Sequence, residues 1–146
     1  MILKLFNYMT TTKYLGKVDR NDKYLLVFSN LIFVYIFYIL YKQNKISKRT
    51  YLLIFIFLIS SVYHYNQCNN HNNNMIDFCN LIDVITCIIV GIILISGNYK
   101  KINLKVILLL ILSFFLLDKY NNITEYIYCH SLWHVLMGIT LYLLLK

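Results

Sequence analysis

The chain has 146 residues, of which 60% are apolar and 14% are charged, and its 14 Lys and Arg outnumber its 6 Asp and Glu. A soluble domain is about 45–50% apolar and about 25% charged, so this composition excludes a secreted disulfide mini-protein, a disordered tail and a typical water-soluble enzyme. The basic residues lie in short runs between long apolar stretches, which argues against nucleic-acid binding and indicates an integral membrane protein.

Five apolar segments approach the length of a membrane span, which needs about 20 mostly apolar residues to cross a ~30 Å hydrocarbon core. They are residues 24–42, 51–65, 75–96, 102–117 and 126–145, and the second and fourth are short. The sequence therefore predicts an all-α integral membrane protein with a bundle of about five transmembrane helices. Residues 24–146 form a single transmembrane domain, preceded by a basic N-terminal tail, residues 1–23.

The distribution of Lys and Arg predicts the orientation, because these residues remain on the cytoplasmic side. The first loop carries four of them, the third carries Lys100 and Lys101, and the chain ends on Lys146. The second loop, residues 66–74, has none, and the fourth has only Lys119. Five basic residues of the tail oppose this pattern. The three loop signals favour an N-terminus outside or in a lumen and a cytoplasmic C-terminus.

Ionisable side chains inside membrane spans are rare and mark candidate functional sites. His64 lies at the end of the second span, Asp77 at the start of the third, and His130 and His134 at the start of the fifth. Because successive spans run in opposite directions, these four residues are expected near one membrane face, whichever way the protein is inserted.

The histidine spacing predicts a metal site. His130 and His134 are four residues apart, so they project from one helix face about 6 Å apart. With His64 they form a set of three neutral imidazoles suited to zinc, with a fourth position open for water. Metal-bound water then needs an adjacent carboxylate, and Ser60, one turn before His64, is placed to orient it. The alternatives are interfacial histidines and axial ligands of a haem.

The third span carries a polar stripe that offers two candidate acids. Asp77, Asn80, Asp83 and Cys87 fall within about 120° of one another on a helical wheel. Asp77 matches His64 in depth, and Asp83 lies about 9 Å deeper at 1.5 Å per residue. The alternative is that the stripe packs inward and forms hydrogen bonds between helices, which is also the interpretation for Ser29 and Asn30 of the first span.

Three motifs resemble a known superfamily. Ser60-Ser-Val-Tyr-His64 resembles the SxxxH motif of the CREST superfamily, which includes alkaline ceramidases and adiponectin receptors. His130-Ser-Leu-Trp-His134, followed by Gly138, resembles the HxxWH…G motif of its last helix. The Phe-Ser-Asn-Leu segment of the first span, residues 28–31, looks most like the branch of myomaker and GPI-processing phospholipases.

The resemblance implies a zinc ion held by His64, His130 and His134, and hydrolysis of a lipid amide or ester with Ser60 and an aspartate assisting. The branch motif places Asn80 where that aspartate belongs, so Asp77 or Asp83 would have to substitute. The superfamily has seven core helices, and this chain looks like a shortened version with two fewer. Five helices enclose less volume, so a cavity for a lipid substrate requires a homo-oligomer or an open groove.

Two function classes follow. The first is a zinc-dependent intramembrane lipid hydrolase, ceramidase-like or phospholipase-like, that uses metal-bound water. The second is a non-catalytic membrane-remodelling or structural protein, in which a metal or hydrogen bonds between the histidines hold the second and fifth helices together. The expected cofactor is zinc and the expected partner is a membrane lipid, with no nucleic acid.

Overall fold

A computed structural model describes residues 15, 21–69, 72–117 and 122–146. Most of the basic tail, His71 of the second loop and Lys119 of the fourth lie outside the described residues. All the secondary structure in the described ranges is helical, and five helices follow one another along the chain. They are α1 (Asn21–Lys42), α2 (Tyr51–Asn69), α3 (Asn73–Gly97), α4 (Leu104–Leu117) and α5 (Ile123–Leu145).

The helices are long because the chain has no proline and only 4 glycines, so little interrupts their backbone hydrogen bonds. Two asparagines mark where helices begin. The side chain of Asn72 accepts a hydrogen bond from the Met75 amide at the start of α3, and Asn122 accepts one from the Glu125 amide, at 2.9 Å, at the start of α5. Asparagine is a preferred N-cap because its oxygen satisfies an otherwise unpaired amide.

Three of the five helices, α1, α3 and α5, are long and apolar enough to span a membrane. The rest of the described protein buries only 28%, 39% and 33% of their apolar windows, so most of this surface requires an apolar surrounding. The second helix continues past residue 65 to Asn69, and its last helical turn consists mostly of polar residues. With 14 residues, α4 is about 21 Å long at 1.5 Å per residue. The predicted five helices are present, with three of clear spanning length.

The end of the bundle that carries the basic loops is closed by contacts between helix ends. The Arg49 guanidinium donates to the Gly97 carbonyl at 2.7 Å, and the Lys101 ammonium donates to the Leu145 carbonyl at 3.5 Å. These contacts place the start of α2 beside the end of α3, and the start of α4 near the end of α5. Consecutive helices therefore run in opposite directions, as the sequence predicts.

The main apolar core fills this half of the bundle. It consists of buried aliphatic and aromatic side chains from all five helices: Phe33, Ile36, Leu40, Leu53, Ile56, Val90, Leu94, Val106, Leu141, Leu144 and Leu145. The end of α2 and the start of α5, which carry the polar side chains, meet at the opposite end. The histidines therefore lie at the end of the bundle opposite this apolar core.

Candidate metal centre

Three histidines from two antiparallel helices converge at this end of the bundle. The ring centroid of His64 on α2 lies 5.0 Å from that of His130 and 5.0 Å from that of His134, both on α5. The ring centroids of His130 and His134 lie 4.9 Å apart. One nitrogen of each ring can be chosen so that all three lie within 4.8 Å of one another. His64 and His134 are buried and His130 is half-buried. The structure thus brings together the three residues that the sequence analysis selects as metal ligands.

A polar chain on the α2 side orients His64. The Nδ1 atom of His64 lies 2.9 Å from the Gln67 side-chain oxygen, and the Gln67 amide nitrogen donates to the Tyr126 hydroxyl at 2.8 Å. Since an amide oxygen only accepts hydrogen bonds, Nδ1 of His64 carries the proton. The neutral ring then has its lone pair on Nε2.

Helix α1 orients His134 in a similar way. The Oγ atom of Ser29 lies 2.7 Å from Nδ1 of His134 and donates its own proton to the Leu26 carbonyl at 3.0 Å. A serine hydroxyl that donates its single proton to the Leu26 carbonyl accepts from His134 Nδ1. In this arrangement the lone pair of His134 is also on Nε2.

The two nitrogens assigned a lone pair are buried and have no hydrogen-bond partner in the described part of the protein: His64 Nε2 and His134 Nε2. Buried polar atoms nearly always have a hydrogen-bond partner. Two buried nitrogens without one, on rings that converge with a third imidazole, therefore indicate a ligand site. A metal accepts such lone pairs, and its histidine ligands commonly donate their other N–H to a neighbouring oxygen. The residues present fit a metal ion. Three convergent rings suit a small ion better than haem, which takes axial ligands.

Of the two candidate acids, Asp83 is the one close to Ser60, which lines the same cavity as His134. Asp83 and Ser60 are both buried, with exposed fractions of 8% and 2%. Asp77 is exposed on α3, and Asn80 is buried. The structure therefore pairs Ser60 with the deeper aspartate, although Asp77 matches His64 more closely in depth along the sequence.

An apolar cavity of about 280 Å³ adjoins the histidine cluster at His134 and is lined by residues of all five helices. Ser60 also lines it, and aliphatic and aromatic side chains form most of the remaining wall. One candidate metal ligand, His134, is therefore part of the wall of an apolar chamber.

Sequence reasoning did not assign Gln67, Tyr126 and Ser29 to the site. Ser29 forms an interhelical hydrogen bond, as expected, but its partner is a metal-ligand candidate. A signal for Gln67 exists in the spacing, since it follows His64 by three residues and so shares its helix face. Tyr126 carries a similar signal, since it precedes His130 by four residues on α5 and its ring lies 5.2 Å from that of His130. Ser29 reaches the site from α1, and the sequence carries no signal for that pairing.

The metal-centre assignment rests on convergence, hydrogen-bonded Nδ1 atoms and unpaired Nε2 atoms within this chain. A three-histidine group can hold a metal ion, and these contacts do not identify which metal. Comparison with known proteins adds no homologue: no protein-family model, no curated protein and no solved structure matches the chain.

Proposed function

We propose that this protein is a zinc-dependent intramembrane hydrolase that cleaves an amide or ester bond of a membrane lipid. One observation carries the proposal: His64 and His134, each with an unpaired Nε2, converge with His130, and His134 lines an apolar cavity. The resemblance of its SxxxH and HxxWH motifs to the CREST superfamily agrees with this activity.

The residues of the site have separate roles in this reaction. His64, His130 and His134 would hold the zinc ion, which would supply a water-derived nucleophile at neutral pH and polarise a carbonyl. Gln67 and Ser29 hold the imidazoles of His64 and His134 in the required tautomer and orientation. Asp83 accepts the proton of the attacking water, and Ser60, which lies close to Asp83, orients that water.

The proposed setting is a membrane that all five helices cross, with the N-terminus outside or in a lumen and the C-terminus in the cytoplasm. The antiparallel order of the helices and the basic residues at one end support this orientation. The substrate is then a lipid of the same membrane. With two helices fewer than the superfamily it resembles, the chain uses an open groove or a homo-oligomer to accommodate that lipid.

A second candidate function is a non-catalytic structural or membrane-remodelling role, in which the metal joins α2 to α5. The near-complete burial of His64 and His134 favours it, with exposed fractions of 0% and 1%, because structural zinc sites are closed. The two functions differ in what Asp83 does, since a structural site does not need a proton acceptor.

The first test is the metal content of detergent-purified protein, measured by mass spectrometry for the wild type, His64→Ala and His134→Ala. We expect about one zinc per chain in the wild type and loss of it in both variants. His71→Ala is the matched control, because His71 is the fourth histidine of the sequence and is not one of the three proposed ligands, and this variant should retain its zinc. A wild type that binds no zinc after reconstitution would overturn the proposal.

The second test separates hydrolysis from a structural role. Asp83→Asn should retain zinc but lose about 10²–10⁴-fold of the hydrolysis of a ceramide or phospholipid substrate, the usual contribution of a general base. Asp77→Asn is its matched control on the same helix and should change the rate far less. Equal rates in wild type and Asp83→Asn would remove Asp83 from the reaction, and zinc-loaded wild type without hydrolysis would favour the structural role.

A further inference from the structure

Gly91 lies in the wall of the apolar cavity, on the face of α3 that looks toward α4 and α5. A methyl group placed on it would meet no atom within 4 Å, so packing between helices does not require a glycine here. Gly138 is the contrast, because a methyl group there would come within 2.7 Å of Ile32. Glycine in a helix interior is less favourable than alanine, so a glycine that packing does not require points to a space kept for a ligand.

The length of the cavity can be read from the helix rise. On α3 its wall extends from Cys87 to Ile95, and on α5 from Trp133 to Leu141. Eight residues at 1.5 Å each make about 12 Å. A carbon–carbon bond of about 1.5 Å at a near-tetrahedral angle advances an extended chain by about 1.25 Å, so about ten carbons fit along this length.

The volume and lining of the cavity favour one alkyl chain as the occupant. Its volume of about 280 Å³ is just below the roughly 300–1,000 Å³ typical of ligand sites. Ile92 and Phe114, which line it, are 62% and 51% exposed, so the cavity opens sideways between α3 and α4 to the apolar surroundings. A chain can therefore enter from the hydrocarbon layer without crossing water.

We infer that Gly91 determines the acyl chain that the site accepts, by leaving room for a single unbranched chain of about ten carbons between the metal cluster and Ile95. The inference rests on the proposed function for what happens at the metal end and adds the substrate's chain. Gly91 lies four residues, or about 6 Å, beyond Cys87. A larger side chain at this position would leave about 6 Å, which is the length of about five carbon–carbon bonds, or a chain of about six carbons.

Photo-crosslinking tests this assignment without any measurement of activity. Two fatty-acid probes, of ten and six carbons, each with a terminal diazirine, are added to the full-length protein in phosphatidylcholine nanodiscs, and labelled residues are mapped by mass spectrometry. The ten-carbon probe should label the deep cavity wall of the wild type, near Ile95. Gly91→Leu should reduce this labelling at least fivefold and change labelling by the six-carbon probe less than twofold.

The matched control is Ile93→Phe, which enlarges an exposed residue of α3 that lies outside the cavity wall, and it should leave both labelling patterns unchanged. Labelling spread evenly over exposed α3 residues and insensitive to Gly91→Leu would overturn the inference. Equal loss of both probes in Gly91→Leu would contradict the assignment of depth.

Chelator-treated wild type distinguishes a failure here from a failure of the proposed hydrolysis. Labelling that persists without metal supports the chain site, even if the loaded protein cleaves no lipid. Conversely, zinc binding and cleavage with no labelling of the cavity would retain the hydrolase and reject the role of Gly91.

Discussion

At the scale of single residues, the hydrogen bond on one imidazole nitrogen decides what the other nitrogen can do. Gln67 and Ser29 accept from Nδ1 of His64 and His134, which leaves both Nε2 lone pairs for a metal. The Gln67 amide is itself held by the Tyr126 hydroxyl, so its oxygen stays directed at His64. Two neutral residues thus select the tautomer of the proposed ligands without adding charge to the interior.

This arrangement predicts the effect of Gln67→Leu. The substitution removes the acceptor for His64 Nδ1–H, so the ring loses its orientation and zinc affinity should fall about 10–100-fold, the usual cost of losing such a supporting contact. Competition with a chromophoric chelator measures the affinity. Asn66→Leu is the matched control, since it removes an amide from the adjacent residue, whose side chain bonds the Val62 carbonyl on its own helix. Equal affinities in the two variants would contradict the role of Gln67.

At the scale of the helices, Gly138 allows α1 to approach α5 closely. A Cβ atom at this position would lie 2.7 Å from Cγ1 of Ile32 and 3.0 Å from Cδ1 of Ile36. Small residues serve this purpose between membrane helices, where close backbone approach provides much of the packing energy. The same approach brings Ser29 of α1 within 2.7 Å of His134. Gly138, the glycine of the HxxWH…G resemblance, therefore supports the site by allowing α1 to pack closely against α5.

Matched substitutions at two glycines test this. Gly138→Leu forces α1 away from α5 and should reduce stability by about 1–3 kcal/mol, the usual cost of overpacking. Gly91→Leu enters open space and should not reduce stability, because leucine is also the better helix former. Thermal unfolding in detergent compares the midpoints. A Gly138→Leu midpoint equal to that of Gly91→Leu would show that α1 and α5 are not in close contact.

At the scale of the whole molecule, the short α4 makes the number of membrane crossings the property to measure. Its 14 residues extend about 21 Å, less than the ~30 Å hydrocarbon core, so crossing requires local thinning of the bilayer. Contact between Lys101 and Leu145 brings the start of α4 to the end of α5, so the two helices form an antiparallel pair.

Five crossings predict that the two termini lie on opposite sides. A C-terminal fluorescent tag should be cytoplasmic and an N-terminal epitope tag should be accessible from outside or from the lumen. A glycosylation acceptor inserted between α2 and α3 should be modified, and one inserted between α1 and α2 should not. Termini found on the same side would mean an even number of crossings and would exclude five.

The sequence by itself determined the class and order of the elements. Hydrophobic segments predict five helices, and the positions of His64, His130 and His134 near alternate helix ends predict that they share one end. These properties depend only on position along the chain, since each helix reverses the direction of the one before it. The i, i+4 spacing of His130 and His134 adds a shared helix face.

Only the tertiary structure decided which residues surround the histidines. Three features depend on how far each helix rotates about its axis and how closely it approaches its neighbours. They are the position of Asp83 near Ser60, the proximity of Ser29 and Tyr126 to the proposed ligands, and the cavity next to Gly91. Those quantities come from side-chain packing between residues distant in the chain. Hydrophobic periodicity indicates which segments are helical, but membrane helices that are apolar on most faces carry little information about their rotation.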